Sequence, residues 1–484
     1  MKDRFASLLQ RSPFLRHVLA VSGSTFAVQA ISLAVAPITS RLYAPADHGL
    51  LALFNACFSL LSILATLRYE TALPLARDDT EATHLLLLSG GLMVLMTALV
   101  SVACATMGTS LAAGIAHDSR FLTYLWFLPL GLLLLTSFNI LAAWAVRAQA
   151  FGALSKVRIL QSLGGSSASI GLGLTHAGVV GLIAGTVVAS LLGLRSLAVL
   201  AWRALRHEAQ HISWAGLQAT ARRHYRFPLY NSWAQLINAA SLQLPVFALT
   251  AAFGAAATGY FSLTQRLLLL PTLLISGAIT PVFYSRARQA QADGSLAAFA
   301  ERVLQGISGV NVFFVVFVAL FGEPLFTLVF GAQWTRSGTY AAAMAPWLLL
   351  NFMVTPLATL PLVFHRQGTD LLFHALLLTC RCGTLWLGMH YGDDLTTVAA
   401  FSLGSAVFML VYLRWLLQLV GARMAPALWR VARELAVASV LLGGCRALLE
   451  WSDGNWWATG SALLPALAYG AWRALRPLQA VLKG

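Results

Sequence analysis

The chain has 484 residues, of which 58% are hydrophobic and only 10% charged, and its mean hydropathy is +0.75. Soluble domains carry roughly a quarter charged residues and could not bury this much apolar surface, so a soluble enzyme or binding module is excluded. The net charge of +15 reads as membrane orientation rather than nucleic-acid binding, because the charges collect in short clusters between charge-free stretches that suit a bilayer.

In chain order those stretches predict helices near 17–40, 49–67, 84–106, 121–145, 156–175, 178–202, 228–252, 256–283, 302–322, 337–363, 370–390, 395–418, 430–449 and 455–475. The run from Ile159 to Leu194 is too long for one span and breaks at Thr175-His176-Ala177-Gly178. Ala34-Val35-Ala36 resembles a signal-peptide cleavage site, but the apolar run is too long for one and Pro37 follows at once, so the first span is read as retained. The expected fold is all-α, a polytopic membrane protein of about 14 transmembrane helices.

Alternating the connections from a cytoplasmic start leaves only Arg41, Arg120, Arg336 and Arg446 on the far side. Arg266 and Arg381 fall within the membrane, and every other Lys and Arg lies on the near side. The positive-inside rule then puts both termini in the cytoplasm. Cys57, Cys104, Cys380, Cys382 and Cys445 all fall in predicted helices without metal-ligand spacing, and read as packing residues. No phosphate-binding loop, dinucleotide fingerprint or zinc motif occurs, so no cofactor, metal or catalytic residue is expected.

Helices 1 and 2 match helices 7 and 8 at nearly constant offset: Pro37 with Pro245, Gly49 with Gly259, Pro74 with Pro281 and Arg77 with Arg286. Ser22, Thr25, Gln29 and Ser32 match Asn231, Gln235, Asn238 and Ser241 in the same way. This pattern predicts two parallel six-helix halves. The expected organisation is a basic N-terminus over 1–16, an N-lobe over 17–202, a cytoplasmic linker over 203–227, a C-lobe over 228–418, and two further helices with a tail over 419–484. Residues three or four apart share a helix face, so Asn231, Gln235 and Asn238 form one stripe, Asn55, Ser59, Ser62 and Thr66 another, and Ser262, Arg266 and Ser276 a further one on helix 8. Each stripe reads either as cavity lining or as interhelical hydrogen bonding. Their recurrence on the first two helices of both halves favours a polar cavity. Gly164-Gly165-Ser166-Ser167 and Gly181-x-x-x-Gly185 read as close helix packing.

Arg266 and Arg381 fall near the middle of helices 8 and 11, where an arginine costs roughly 2.5 to 3.5 kcal/mol. None of the 17 acidic residues falls well inside a predicted helix, which points to a cargo that brings its own negative charge. The alternative is that these arginines bond backbone carbonyls and Gln or Ser neighbours. His374, two turns before Arg381, suits either proton exchange or core packing. Pro271, Pro356 and Pro361 mark helix bends.

The residues then take on a family likeness: Ser22-Gly23-Ser24, the loop Arg41-Leu42-Tyr43-Ala44-Pro45-Ala46-Asp47-His48-Gly49, the segment Leu67-Arg68-Tyr69-Glu70-Thr71-Ala72-Leu73-Pro74-Leu75, the acidic run Asp78 to Glu81, and Arg226-Phe227-Pro228. Together they resemble the Wzx-type polysaccharide and O-antigen flippases of the multidrug/oligosaccharidyl-lipid/polysaccharide exporter superfamily. The resemblance implies a bacterial inner-membrane protein that moves an undecaprenyl-diphosphate-linked oligosaccharide by alternating access. Its partners would be the lipid-linked anionic oligosaccharide, membrane lipids and a polysaccharide polymerase or assembly proteins. Arg266 matches the position of a cavity arginine in the related lipid II flippases, and Arg68 and Glu70 belong to a cytoplasmic gate motif. The chain departs from the lipid II flippases by lacking arginines in the bodies of helices 1 and 2. An ion-coupled drug antiporter of the same superfamily and a membrane polymerase or glycosyltransferase remain competing readings. The first usually needs an acidic residue inside a lobe. The second usually needs a long outer loop with catalytic carboxylates, where this chain has only the adjacent pair Asp393-Asp394.

Overall fold

In hydrocarbon every peptide N–H and C=O needs a partner, and a helix supplies one within its own segment. The computed structural model describes residues 13–115, 124–452 and 461–470, and among them there is no strand. The helices are α1 (Pro13–Leu42), α2 (Pro45–Thr66), α3 (Asp79–Ile115), α4 (Phe127–Arg147), α5 (Phe151–Leu174), α6 (Val179–Leu191), α7 (Leu194–Glu208), α8 (Trp214–Arg223) and α9 (Ser232–Ala292). They continue as α10 (Leu296–Phe330), α11 (Thr335–Val354), α12 (Gln367–Tyr391), α13 (Asp394–Leu419), α14 (Met424–Trp451) and α15 (Ser461–Gly470). Ten segments among the described residues are long and apolar enough to cross a membrane, and one of them, Phe227–Thr272, holds parts of two predicted spans. The protein is an all-α polytopic membrane protein of about fourteen spans. Arg120, the first twelve residues and the tail from 471 lie outside the described residues.

Three predicted spans differ in an instructive way. The sixth is broken at Leu192-Gly193, where Gly193 has φ 81°. α6 alone has 13 residues, roughly 20 Å of helix, which is short of the hydrocarbon thickness. α7 supplies the rest and carries the chain out as an amphipathic helix whose Leu197 and Ala201 are buried while Arg195, Arg203 and Arg206 are exposed. The seventh and eighth spans run on as α9, divided by a turn at Gly254 with φ 83°. The Thr250 and Thr258 hydroxyls lie 2.8 Å apart across it.

The chain divides into two compact units, Met1–Gly259 and Tyr260–Gly484. The boundary falls inside α9, so the segment Ser232 to Gly259 groups with the first unit, whereas the repeat pattern assigns it to the second half.

In the first unit α1, α5 and α6 pack through small residues. The Tyr43 hydroxyl donates to the Ser169 carbonyl at 2.6 Å, and a Cβ at Gly173 would come within 2.9 Å of the Tyr43 ring. A Cβ at Gly165 would lie 3.0 Å from the Gly185 carbonyl oxygen, and one at Gly185 2.9 Å from that of Gly165. The glycine pattern in α5 and α6 is therefore a helix-packing device, as its spacing implies.

In the second unit α10 and α11 approach at Gly322 and Gly338, and a Cβ on Gly338 would overlap the backbone of Glu323. Tyr260, Trp334 and Tyr340 meet edge to face nearby, with Tyr260 6.1 Å from each of the other two rings. The start of α13 is fixed by the acidic pair. Asp393 caps the helix, and the hydroxyl and amide of Thr396 hold its carboxyl below the usual range. Asp394 pairs with Arg336 and accepts the Tyr340 hydroxyl at 2.6 Å. Both carboxylates thus have structural partners.

Gly338→Ala forces backbone against backbone and should lower the apparent melting temperature in detergent by several degrees. Gly443→Ala, on α14 with open space around its Cβ position, should leave it unchanged. Equal melting of the two variants would show that the α10–α11 approach is not tight.

Candidate functional site

The segments that carry the family likeness belong to the first unit, and most of them gather at the two ends of α2. Pro45 occupies the first turn of α2, and the Asp47 carboxylate accepts the Ala44 N–H at 3.1 Å, so the Ala44-Pro45-Ala46-Asp47 stretch is a helix start. Gly49 follows one turn on and meets Gly259 face to face. A Cβ on Gly49 would overlap the carbonyl oxygen of Ala255 and lie 2.9 Å from the Gly259 nitrogen. A Cβ on Gly259 would overlap the carbonyl oxygen of Pro45 and lie 3.2 Å from the Gly49 nitrogen. Each glycine thus touches the residue four before the other. Gly49 and Gly259, which the sequence offset matches, form a reciprocal, backbone-to-backbone seam between α2 and α9, which only glycine permits.

At its other end α2 stops in two successive left-handed residues, Leu67 (φ 47°) and Arg68 (φ 62°). Such conformations cost of order 1–3 kcal/mol for non-glycine residues and gather at sites where the surroundings impose them. The Arg68 guanidinium lies 3.3 Å from Glu70, which is buried. Arg68 Nε and Glu70 Oε2 are buried and make no hydrogen bond among the described residues. Tyr69, between them, packs in one apolar cluster with Phe227, and its hydroxyl donates to the Ala221 carbonyl at 3.3 Å. The Arg68-Tyr69-Glu70 and Arg226-Phe227-Pro228 segments, 158 positions apart, are therefore neighbours.

A polar clamp surrounds this junction. Glu81, buried at the start of α3, accepts Arg223 Nη1 at 2.9 Å, and its other oxygen accepts the Arg77 N–H at 2.8 Å. His224 Nε2 stands 3.1 Å from Glu81 Oε1. Arg147 donates to the Ala76 carbonyl at 2.6 Å and to Asp79 at 2.9 Å, and the Thr80 hydroxyl donates to Glu208 at 2.7 Å. The acidic run Asp78 to Glu81 is thus the anchor for the basic linker that carries α7 and α8. The sequence displayed both charge clusters but not their pairing.

The stripe residues are accessible to different degrees. Gln29, Asn231 and Gln235 are half-buried, while Asn55 and Asn238 are exposed. All five belong to the first unit, as do Arg68 and Glu70. Arg266, His374 and Arg381 belong to the second. Arg266 has an exposed side chain on the second leg of α9. Arg381 is only 3% exposed: its Nε donates to the Ser405 hydroxyl at 3.2 Å, and its guanidinium lies 5.3 Å from the Phe401 ring centre. It points into the packing of α12 against α13, in the environment that the alternative reading describes. His374 is exposed, with Nε2 3.9 Å from Asp370, and the Tyr412 hydroxyl donates to the same carboxylate at 2.5 Å. Asp370 and Tyr412 carry no motif that marks them in the sequence. The spacing of Asp370 and His374 was the available signal.

An apolar groove of about 770 Å³ lies between α14 and α15, with Val437, Val440, Cys445, Pro465 and Tyr469 among its walls. No group of three or more His, Cys, Asp or Glu able to hold a metal occurs among the described residues.

This arrangement has the fold of exporters of the multidrug/oligosaccharidyl-lipid/polysaccharide superfamily. A solved lipid II flippase, MurJ in an inward closed conformation, is similar with a TM-score of 0.71 and 12% identity over 96% of this chain and 98% of that one. An inward-facing multidrug resistance MATE transporter is similar at 0.58, with 17% identity over 81% and 94%. A superfamily transporter from Pyrococcus furiosus, titled for the reverse polarity of its binding pocket, is similar at 0.55, with 15% identity over 84% and 95%. No curated protein sequence matches the chain. The family model described as polysaccharide biosynthesis protein matches residues 38–338, more than half of the chain, and the chain belongs to that family.

Removing Glu81 frees Arg223 and His224, and loss of such charged hydrogen bonds costs about 1.5–3 kcal/mol each. Glu81→Ala should therefore expose the linker, with trypsin cutting after Arg222 or Arg223 at least several-fold faster than in the parent protein. Unchanged cleavage would mean that the clamp does not hold the linker down.

Proposed function

We propose that the chain is a flippase that carries an undecaprenyl-diphosphate-linked oligosaccharide, an O-antigen or exopolysaccharide repeat unit, from the cytoplasmic to the periplasmic leaflet of a bacterial inner membrane. The observation that carries the reading is membership of a polysaccharide biosynthesis family joined to a flippase-like fold over nearly the whole chain. Both termini lie in the cytoplasm, the protein works by alternating access rather than as an enzyme, and a polymerase or assembly protein takes over the cargo.

The cargo has three chemical parts, and the chain offers a match for each. Arg266, exposed in the body of a spanning helix, supplies positive charge for the diphosphate. Arg381 acts from inside the helix packing and steadies α12 rather than touching cargo. Gln29, Asn55, Asn231, Gln235 and Asn238 supply neutral donors and acceptors for sugar hydroxyls. The apolar groove between α14 and α15 suits the polyprenyl tail. Arg68 and Glu70 sit where α2 ends in strained backbone, and their loosely satisfied charges make that end the movable gate. His374 with Asp370 and Tyr412 is the candidate coupling group.

Deletion of the gene should leave the lipid-linked oligosaccharide on the inner leaflet, inaccessible to a sugar-modifying enzyme added to spheroplasts. Arg266→Ala should rescue export roughly 10- to 100-fold less well than the parent, the equivalent of one or two charge-assisted hydrogen bonds. Arg266→Lys should retain part of it. If the deletion strain exported its intermediate normally and only glycan polymerisation stopped, the protein would be a polymerase component instead.

A further inference from the structure

A second groove, of about 680 Å³, opens on the first unit between α3, α4 and α7, and no function of the site described above uses it. Leu86, Gly90, Gly91 and Val94 of α3 form one wall, with Trp202 and Leu205 of α7 opposite. A Cβ on Gly90 or Gly91 would meet nothing within 4 Å, so these glycines keep the trough open rather than letting another helix approach. Val94 is 57% and Trp202 54% exposed, so the groove faces outward.

One end of this apolar trough is cationic. The Arg206 guanidinium sits over the Trp202 ring, 5.2 Å from its centre, and Arg203 lies alongside on the exposed face of α7. Neither arginine has a carboxylate partner among the described ion pairs. The nearest acid in sequence, Glu208, is taken by Thr80, His207 and His211. The break at Gly193 makes this possible. It frees α7 to bury Leu197 and Ala201 against α4 while presenting tryptophan and arginine outward, the residue types that anchor helices at the level of lipid headgroups.

We propose that this groove binds an anionic glycerophospholipid of the surrounding membrane, with one acyl chain between α3 and α7 and the phosphate held by Arg206 and Arg203. The volume falls within the roughly 300–1,000 Å³ of sites that hold one small ligand. The charge complementarity selects an anionic over a zwitterionic head. The bound lipid lies against α7, which the clamp joins to α3 through Glu208 and Thr80, so the lipid steadies the linker as well. The occupant is a resident lipid rather than the transported one, since none of the residues assigned to cargo lines this groove.

The test is native mass spectrometry of the full-length protein offered equal amounts of phosphatidylglycerol and phosphatidylcholine with the same acyl chains. An arginine at a membrane surface is worth roughly fivefold in anionic-lipid binding, so the parent protein should retain phosphatidylglycerol at least about fivefold better. Arg203→Ala with Arg206→Ala should bring that ratio close to one. Gly91→Leu, which fills the trough, should lower adducts of both lipids, while Gly443→Leu on α14 should not. Gel filtration and circular dichroism establish that each variant is folded, and Arg206→Gln alone serves if the double variant is not. Equal retention of the two lipids by the parent, an unchanged ratio in the arginine variants, or full adducts in Gly91→Leu would overturn the proposal. So would displacement of phosphatidylglycerol by stoichiometric undecaprenyl phosphate, which would make the groove a carrier-lipid site.

Discussion

An unpaired peptide group in hydrocarbon costs several kcal/mol, and that single penalty shapes this protein more than any side chain does. It makes every described span a helix and confines irregular backbone to a few places. Three of those places are informative: the turn at Gly254, the break at Gly193 and the left-handed pair Leu67-Arg68. Each sits where the chain changes direction or where charged residues gather. Helix association must then come from close packing, because lipid tails are as apolar as leucine. The glycines of α5 and α6, of α10 and α11, and the Gly49–Gly259 seam are the consequence.

The seam and the junction at Arg68 occupy opposite ends of one helix, α2. At its start α2 meets α9 backbone to backbone at Gly49 and Gly259. At its end the motif Arg68-Tyr69-Glu70 is held by Phe227 and the carbonyl of Ala221, and through them by a linker that Glu81 ties down. Under the flippase reading, this charged end is the proposed gate.

Much of the fold was legible in the sequence because bilayer thickness and the need for internal hydrogen bonding leave few alternatives. The helix positions and the packing role of Gly165 and Gly185 could be read from spacing, as could the matching offset of Gly49 and Gly259. That those two glycines touch could not, since sequence offset says nothing of distance. Nor could the environment of Arg381, because the register of α12 on α13 decides whether Ser405 and Phe401 reach it. The clamp shows the same limit: Asp78 to Glu81 and Arg222 to Arg226 stood out as opposite charges, but only the fold of α7 and α8 brings them within hydrogen-bonding distance. The break at Gly193 escaped because α6 and α7 together read as one apolar run.

Under the proposed function, an anionic, lipid-linked sugar crosses the membrane on this chain with Arg266 as a contact for its charge. The most direct measurement is translocation in proteoliposomes of a fluorescent polyprenyl-diphosphate oligosaccharide, followed by loss of fluorescence to a membrane-impermeant reductant. The parent protein should render the inner-leaflet pool accessible, while Arg266→Ala protein and protein-free vesicles should leave about half of the probe protected. Protection in the presence of the parent protein, or equal translocation by the Arg266→Ala variant, would contradict the account.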